Sequence, residues 1–319
     1  MKSNSVYITD YVDNPSIERE VLGDALAPEP HDGIEVLIVW HDLINEEYLA
    51  RFPNLKAVVR YGVGYDNLDL VATKDRGVYA CNTPDYGVDE VSDTAIAMIM
   101  AISRGIVRYD SLSRGYRDTW QENTHKEIRR GAEQTVGVLG AGRIGGSVLF
   151  KAKALGFKTV LYDPYRPSGH EKTFGSSRTE SMHELLGICD IVSVHVPLSE
   201  ATKGMIDREF VESIKDGASL VNTARGKLVE DLEVFHEPLE SGKLGYVYLD
   251  VLPDEPPVDS PLVNAWRARE DWIDGRFLIN PHSAYYSGRS YEEMRQKAAL
   301  NAKRVLEGKT PVNIVNGLE

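Results

Sequence analysis

The sequence predicts an α/β protein with two Rossmann-like domains, each a doubly wound parallel sheet, and a cleft between them. Short β-branched runs alternate with amphipathic segments along most of the chain, which is typical of a parallel sheet covered by helices. With 319 residues, of which 42% are hydrophobic and 27% charged, the chain can bury an ordinary core and is long enough for two domains.

The second predicted domain, residues 105–288, shows the alternation most clearly. Six strands are predicted there: Thr135–Leu139, Thr159–Tyr162, Ile191–Val196, Ala218–Val221, Tyr246–Val251 and Phe277–Ile279. Between the first two strands, apolar residues recur at helical spacing, at Ile144, Val148, Ala152 and Leu155. Gly156 then ends that helix, which completes one βαβ unit.

The other domain is predicted to be smaller, flavodoxin-like and discontinuous, formed by residues 1–104 and 289–319. Its predicted strands are Val6–Thr9, Val36–Trp40, Ala57–Arg60 and Val78–Cys81. A helical stripe at Val91, Ala95, Met98 and Ile102 leads into the next domain. A capping box of Ser290 and Glu293 predicts a last helix, which we expect to return to this first domain.

Composition excludes several classes of function. We expect neither a membrane span nor a secretory leader, because no apolar run approaches about eighteen residues and the start, Met1–Ser5, has no basic segment before an apolar one. Two cysteines, Cys81 and Cys189, indicate neither a disulfide framework nor a metal site, so we expect a cytoplasmic protein without metal. The net charge of −13 argues against nucleic acid as a partner.

A dinucleotide site is predicted at the first βα turn of the second domain. Gly140, Gly142 and Gly145 form G-x-G-x-x-G between a predicted strand and a predicted helix, where backbone N–H groups can bind a pyrophosphate. Asp163 ends the next strand, 23 residues after Gly140, and can accept hydrogen bonds from an adenosine ribose. This favours NAD over NADP, although Arg166 could partly neutralise the carboxylate.

Three loops with reactive side chains follow the fourth, fifth and sixth predicted strands. They contain Arg225, Glu255 and His282 respectively. Because ligands of doubly wound sheets bind beyond the carboxyl ends of the strands, these side chains are expected to converge on one site. Taken singly, each has an ordinary alternative as a surface ion pair, a solvated loop charge or a backbone-bonded histidine.

These segments, in this order, resemble the D-isomer-specific 2-hydroxyacid dehydrogenase family over essentially the whole chain. The matching motifs are the glycine-rich turn, Asn222–Gly226, Asp250–Pro256, Pro281–Ala284 and, near the N-terminus, Arg60–Asn67. The segments most similar to the C-terminal-binding corepressor branch of that family and its bacterial relatives are Val39–His41, Tyr162–Tyr165 and Pro281–Ser287.

The resemblance implies roles for individual residues. Arg225 would bind the substrate carboxylate, His282 would act as general acid and base, and Glu255 would hold and charge the imidazole. Further cofactor contacts are implied at Arg143, Ile144, His195, Val196, Pro197, Thr202, Thr223, Ala224 and Asp250. Substrate contacts are implied at Trp40, Arg60, Gly62, Val63, Gly64 and Tyr285. Trp40 and Tyr285 could equally be core aromatics, and Arg60 could form an internal salt bridge.

The function expected from this resemblance is NAD-dependent interconversion of a small 2-keto acid and its D-2-hydroxy acid, by a homodimer formed through the cofactor domain. One alternative is a corepressor-like interaction protein that senses NAD. We favour the enzyme because such corepressors carry a long disordered tail, whereas this sequence ends at Glu319. Another alternative is a relative that oxidises a phosphonate or formate.

Overall fold

The computed structural model describes residues 3–10, 12–125 and 128–319; Met1 and Lys2, part of the segment considered as a leader, lie outside them. The strands are β1 (Val6–Ile8), β2 (Val36–Val39), β3 (Ala57–Arg60), β4 (Tyr79–Cys81), β5 (Thr135–Leu139), β6 (Lys158–Tyr162), β7 (Ser177–Arg178), β8 (Ile191–Val194), β9 (Ala218–Asn222), β10 (Leu244–Leu249) and β11 (Phe277–Ile279). The α-helices are α1 (Ser16–Leu22), α2 (Glu46–Ala50), α3 (Leu70–Asp75), α4 (Val88–Arg104), α5 (Ile106–Ser113), α6 (Arg143–Ala154), α7 (His170–Phe174), α8 (Met182–Ile188), α9 (Arg208–Ser213), α10 (His236–Ser241), α11 (Pro261–Ala268) and α12 (Gly288–Leu306).

The chain forms two compact units. The smaller unit comprises Met1–Gly87 and Tyr286–Glu319, and the larger comprises Val88–Tyr285. The first boundary lies before α4, whereas the sequence pattern places it after this helix. The reason is packing: Ala95, Met98 and Ile102 of α4 share one core cluster with Val148 and Ala152 of α6, so the helix belongs to the larger unit.

The smaller unit contains a parallel sheet in the order β1-β2-β3-β4. On its other side, β1 forms a single parallel bridge between Val6 and Leu26. The segment at Leu26 thus takes the outer place beside β1, as the second strand does in the flavodoxin-type order. Helix α12 packs against α1, β2 and β3, which makes this unit discontinuous in sequence.

Helix α12 begins one turn earlier than the sequence pattern predicts. Its N-cap is Ser287, whose hydroxyl accepts a hydrogen bond from the Ser290 N–H at 2.9 Å, while the Ser290 hydroxyl accepts one from the Ser287 N–H at 2.8 Å. The predicted capping box of Ser290 and Glu293 is therefore wrong. Two serines form the reciprocal pair instead, because a serine at the third helical position can also reach back to the N-cap.

The larger unit contains a seven-stranded parallel sheet in the order β11-β10-β9-β8-β5-β6-β7. The six strands predicted for this domain are present, each within two residues at either end. The two-residue edge strand β7 was not predicted, because so short a segment has no periodicity. Strands β6 and β7 lie on one side of β5 and strands β8 to β11 on the other, so the order in which strands are added reverses between β5 and β8. Doubly wound sheets bind ligands at such a switch point.

Both faces of this sheet are buried. Successive strand residues belong to two different core clusters: Leu220 and Val247 face one, while Val221 and Tyr248 face the other. Side chains alternate across a strand, so a sheet covered by helices on both faces needs apolar residues at every position. This explains why the strands appear in the sequence as continuous apolar runs rather than as alternating ones.

A buried ion pair joins α1 to α12 in the smaller unit. Glu18 and Arg295 are 0% and 5% exposed, and Arg295 Nε lies 2.8 Å from Glu18 Oε1. Arg295 Nη2 donates to the other oxygen, Oε2, at 2.5 Å, and the Tyr61 hydroxyl donates a third hydrogen bond to the same carboxylate, at 2.7 Å from Oε1. Because both charges are removed from water, each depends on the other for compensation.

Replacing only Arg295 by methionine is expected to lower the free energy of unfolding by about 3–5 kcal/mol, because it leaves the Glu18 carboxylate buried without a cation. Urea-induced unfolding measures the change. The double variant Glu18→Gln/Arg295→Met should recover most of the loss, and Arg208→Met, at an exposed ion pair, should unfold like the parent. Equal stability of Arg295→Met and the parent would contradict this account.

Candidate active site

The three loops singled out in the sequence leave the carboxyl ends of β9, β10 and β11. These strands are neighbours in the sheet, so their loops emerge side by side at one edge of the larger unit. The loop after β9 carries Arg225, the loop after β10 carries Glu255, and the loop after β11 carries His282.

The loop after β9 is shaped by the side chain of Asn222, which is fully buried. Asn222 Oδ1 accepts from the Ala224 N–H, and Nδ2 donates to the Arg225 carbonyl, both at 2.9 Å. Next comes Gly226, where a Cβ atom would lie 1.7 Å from the Leu252 carbonyl oxygen. Asn222 and Gly226 thus hold Arg225, which lies between them in the chain, against the loop after β10.

The loop after β11 is organised by the buried side chain of Asp250. Its Oδ1 accepts from Asn280 Nδ2 at 2.6 Å and from the N–H groups of Ser283 and Ala284 at 3.0 Å. Its backbone carbonyl accepts from the His282 N–H at 2.8 Å. Burial raises the pKa of Asp250, although these hydrogen bonds oppose the rise. The network holds His282 at a φ of 51°, which is uncommon for a residue other than glycine.

Glu255 and His282 form a direct pair, with Nδ1 of the imidazole 2.8 Å from Oε2 of the carboxylate. The other oxygen, Oε1, accepts from the Leu252 N–H at 2.9 Å. Burial would raise the pKa of Glu255, but the hydrogen bonds from His282 and Leu252 and the nearby charges outweigh it, so this pKa lies below its usual range. The carboxylate is therefore ionised at neutral pH and engages Nδ1, which leaves Nε2 as the ring nitrogen that does not contact it.

Arg225 and Tyr285 complete this group. The positive charge of Arg225 is one of the causes that lower the pKa of Glu255, so its electric field reaches the pair. The ring of Tyr285 lies edge-on to the His282 imidazole, with 6.5 Å between centroids. The structure thus brings four predicted site residues together within the larger unit. A forked cation beside a carboxylate-supported imidazole can bind a carboxylate and exchange a proton with a neighbouring oxygen.

The glycine-rich turn lies between β5 and α6, at the switch point of the same sheet. Gly140 has a φ of +86°, and a Cβ on Gly145 would lie 2.0 Å from the Gly140 carbonyl oxygen, so both positions require glycine. Gly142 is the N-cap of α6, and no side chain caps this helix. The nearest atom to a Cβ at Gly142 would be Arg166 Nη2 at 3.8 Å, so the turn has room for a pyrophosphate at the helix N-terminus.

Asp163 lies at the end of β6 and is tied to this turn. It is 7% exposed and accepts from the Ala141 N–H at 2.9 Å and the Tyr165 N–H at 3.0 Å. Arg166 Nε lies 3.7 Å from Oδ2 of the same carboxylate. Each carboxylate oxygen has two lone-pair directions, so the fixed side chain can still accept from a ribose hydroxyl.

Two of the remaining predicted cofactor residues, Arg143 and Ile144, begin α6, and the others lie in the loops that follow β8 and β9. Thr223 is 6% exposed, and within the described residues its hydroxyl has no hydrogen-bond partner, as expected of a group that bonds to a ligand. Burial lowers the pKa of His195 to about 3, so this imidazole is neutral. The Thr202 hydroxyl donates to the Pro197 carbonyl at 2.6 Å and so orders the loop after β8. Together with the glycine-rich turn, these residues fit a dinucleotide.

Trp40 and Arg60, two predicted substrate contacts, belong to the smaller unit and lie at the ends of β2 and β3. Trp40 is 7% exposed and touches the rings of Tyr61 and Tyr291, so most of its surface packs inside this unit. The Arg60 side chain lies across Gly62, where a Cβ would be 1.5 Å from Arg60 Nη1. Glycine at this position, with a φ of +133°, is what lets the guanidinium lie against the loop.

The loop that follows Arg60 is held from the end of β4. The Asn82 amide donates to the Val63 carbonyl at 2.6 Å, and the Thr83 N–H donates to the Gly62 carbonyl at 2.9 Å. Val63 and Gly64 are both partly exposed. The carbonyls of Gly62 and Val63 are thus anchored in the smaller unit, while the substrate contacts predicted for Val63 and Gly64 stay predictions.

Sequence reasoning missed two residues that build these loops, Asp10 and Asn280. Asp10 follows β1 and accepts from the N–H groups of Trp40, His41 and Asp42 at 2.9, 2.6 and 3.0 Å. Burial would raise the pKa of Asp10, but these bonds and His41 hold it well below its usual range. Asn280 donates to Asp250, as described above. Their positions could have identified them, since Asn280 directly follows β11 and Asp10 lies two residues after β1.

The described residues contain neither a metal-binding group nor a membrane-spanning helix. Within residues 3–10, 12–125 and 128–319, no three His, Cys, Asp or Glu side chains are grouped to hold a metal ion. In the same ranges, no helix has the length and apolar character needed to cross a membrane.

The chain is similar to several known proteins. The profile described as "D-isomer specific 2-hydroxyacid dehydrogenase, NAD binding domain" matches residues 96–284. A glyoxylate reductase of Korarchaeum cryptofilum is 34% identical over 86% of this chain and 80% of its own length. A D-3-phosphoglycerate dehydrogenase of Methanocaldococcus jannaschii is 33% identical over 86% of this chain, which spans half of that relative. A D-lactate dehydrogenase of Aquifex aeolicus, solved with NAD and lactic acid, superposes with a TM-score of 0.85 at 28% identity, covering 98% of this chain and 100% of that one.

Gly226→Ala is expected to lower the free energy of unfolding by about 1–3 kcal/mol, because the new Cβ must displace the Leu252 carbonyl. The matched control is Gly187→Ala in α8, where no atom lies within 4 Å of the added Cβ. That variant should gain up to about 1 kcal/mol from helix propensity. Urea-induced unfolding of both variants tests the contrast, and a Gly226→Ala protein as stable as the parent would refute it.

Proposed function

Because the chain belongs to the D-isomer-specific 2-hydroxyacid dehydrogenase family, and is thus an NAD-dependent oxidoreductase acting on CH–OH groups, we propose that it interconverts a small 2-keto acid and its D-2-hydroxy acid. The observation that carries this proposal is the pairing of His282 with Glu255, 2.8 Å apart, in the field of Arg225 at the carboxyl edge of the dinucleotide-binding sheet. We further propose that the protein acts in the cytoplasm as a homodimer formed through the larger unit.

Arg225 binds and orients the substrate carboxylate. A guanidinium offers two parallel N–H groups to a carboxylate, which fixes the orientation of the acid and of the neighbouring C2 carbonyl. The Asn222 amide and the close contact at Gly226 hold the backbone of this residue, and Arg225 Nη1 donates to the Ala224 carbonyl at 2.7 Å, so the guanidinium has a fixed contact before substrate arrives. Preorganisation of this kind contributes to rate because less order has to be imposed during the reaction.

His282 exchanges the proton. In reduction, Nε2 donates a proton to the C2 oxygen as that oxygen gains negative charge, and in oxidation it takes the proton back. Glu255 acts through Nδ1, since an ionised carboxylate at 2.8 Å favours the imidazolium form and fixes the plane of the ring. Asp250 holds the backbone of the histidine loop in place.

The residues proposed to hold the dinucleotide are the glycine-rich turn with Arg143 and Ile144, Asp163 at the ribose, and the loops containing His195–Pro197, Thr202, Thr223 and Ala224. When bound, the nicotinamide supplies or accepts the hydride. The ionised Asp163 side chain disfavours a 2′-phosphate, and Arg166 weakens that discrimination because it lies 3.7 Å away. Trp40, Arg60, Gly62, Val63, Gly64 and Tyr285 are proposed to contact the remainder of the substrate.

Oxidation of NADH by a panel of 2-keto acids tests the proposed function. At least one short-chain acid should be reduced to the D-hydroxy acid, identified by chiral chromatography. Arg225→Lys should lower kcat/KM for that acid by roughly 10–100-fold, because one of two charge-assisted hydrogen bonds is lost. The control Arg208→Lys, at an exposed site on α9, should match the parent. Binding of NADH without turnover of any acid in the panel would refute the proposal.

Glu255→Gln is expected to move the pH dependence of both directions to lower pH. Reduction needs the protonated imidazole, so its rate should begin to fall at a lower pH than in the parent, while oxidation needs the neutral imidazole and should rise at a lower pH. The cause is removal of the ionised carboxylate whose pKa is depressed by this pairing. Profiles of kcat/KM between pH 5 and 9 measure the shift. Identical profiles for the variant and the parent would contradict the proposed pairing of Glu255 with His282.

A further inference from the structure

The larger unit contains a cavity at the opposite edge of its sheet. Its volume is about 290 Å³, at the small end of ligand pockets. It is lined by residues at the amino ends of the strands, including Gln134 before β5, Ile191 in β8 and Arg276 before β11. The proposed catalytic residues all follow the carboxyl ends of strands, so this cavity is a separate site within the same unit.

The lining of this cavity is strongly cationic. Among the described residues, the lining includes three arginines, Arg108, Arg129 and Arg276, and one carboxylate, that of Asp190. That carboxylate binds both Arg129 and Lys215, and the Thr135 N–H donates to it at 2.7 Å. Asp190 is therefore already paired with two cations. Among the described lining residues the guanidinium groups outnumber this carboxylate, which leaves an excess of positive charge at the cavity wall.

Two of the arginines donate to backbone carbonyls. Arg108 Nη1 donates to the carbonyls of Asp271 and Asp274, at 2.8 and 2.6 Å. Arg276 donates to the carbonyls of Leu244, Gly245 and Trp272, at 2.8–3.0 Å. Backbone carbonyls fix a guanidinium in position without cancelling its charge. A rigid cationic wall of this kind is suited to a phosphate or carboxylate.

Two buried polar atoms in the lining point independently to a ligand. Ser103 and Gln134 are only 3% and 5% exposed, and Ser103 Oγ and Gln134 Oε1 have no hydrogen-bond partner in the described part of the chain. Buried polar atoms are nearly always satisfied in folded proteins, and each exception calls for an unseen partner. Since Gln134 Oε1 can only accept, its partner has to carry a donor.

We propose that this cavity is a binding site for a small phosphate-bearing ligand. The phosphate oxygens bond to the arginine side chains, and a hydroxyl of the phosphate or of its organic part donates to Gln134 Oε1 while Ser103 completes the shell. A phosphate group fits better than a carboxylate because it offers more oxygens to several arginines and can carry a hydroxyl for Gln134. The proposal does not depend on the substrate of the carboxyl-edge site.

Inorganic phosphate is the probe for the first experiment. It is titrated into the full-length protein saturated with NADH, at constant ionic strength set with chloride, and binding is measured by calorimetry. We expect one site, with phosphate at least about tenfold tighter than sulfate, because sulfate lacks the O–H that Gln134 requires. Absence of a phosphate site, or equal affinity for the two anions, overturns the proposal.

A matched pair of variants locates the site. Arg129→Gln and Lys215→Gln each remove one of the two cations bound to Asp190, but only Arg129 lines the cavity. Arg129→Gln should weaken phosphate binding at least about tenfold, while Lys215→Gln should leave it within about twofold. Ser103→Ala, which changes the fold least, should weaken it severalfold. Loss of binding in Arg225→Gln, but not in Arg129→Gln, would assign the phosphate to the carboxyl-edge site and overturn the proposal.

Discussion

The carboxylate of Asp250 is the constraint on which the arrangement of the larger unit's reactive edge depends. One oxygen accepts three hydrogen bonds, from Asn280, Ser283 and Ala284, and the backbone carbonyl accepts a fourth from His282. These bonds hold a histidine with a positive φ at the end of β11. Without them the loop would have no reason to adopt this conformation, and the imidazole would lose its position beside Glu255.

Short polar side chains also accept hydrogen bonds from loop N–H groups at other strand ends, in both units. Asp10 follows β1, Asp163 follows β6 and Asn222 ends β9, and each short side chain accepts from backbone N–H groups of a loop. A parallel sheet ends in loops whose N–H groups have no partner in the ladder. Small polar side chains at those ends satisfy them and leave the longer side chains, such as Arg225, to face ligands.

Charged groups are arranged differently at the two edges of the larger sheet. At the carboxyl edge, the turn between β5 and α6 offers backbone N–H groups, and the charged residues form a compact acid–base pair beside one arginine. At the amino edge, guanidinium groups donate to exposed backbone carbonyls and leave a cationic cavity. One sheet thus supports a proposed reaction site and a proposed anion site.

Local pattern sufficed for six of the seven strands of the larger sheet, for the glycine-rich turn and for placing Arg225, Glu255 and His282 in loops at strand ends. Each of these depends on residues adjacent in the chain and on the rule that such loops bind ligands. Tertiary structure alone decided that α4 packs with α6, that Glu18 pairs with Arg295 and that Ser103 and Gln134 share a cavity. Each of these contacts involves residues far apart in sequence. Periodicity predicts local structure only, so it does not indicate which distant side chains come together when the chain folds.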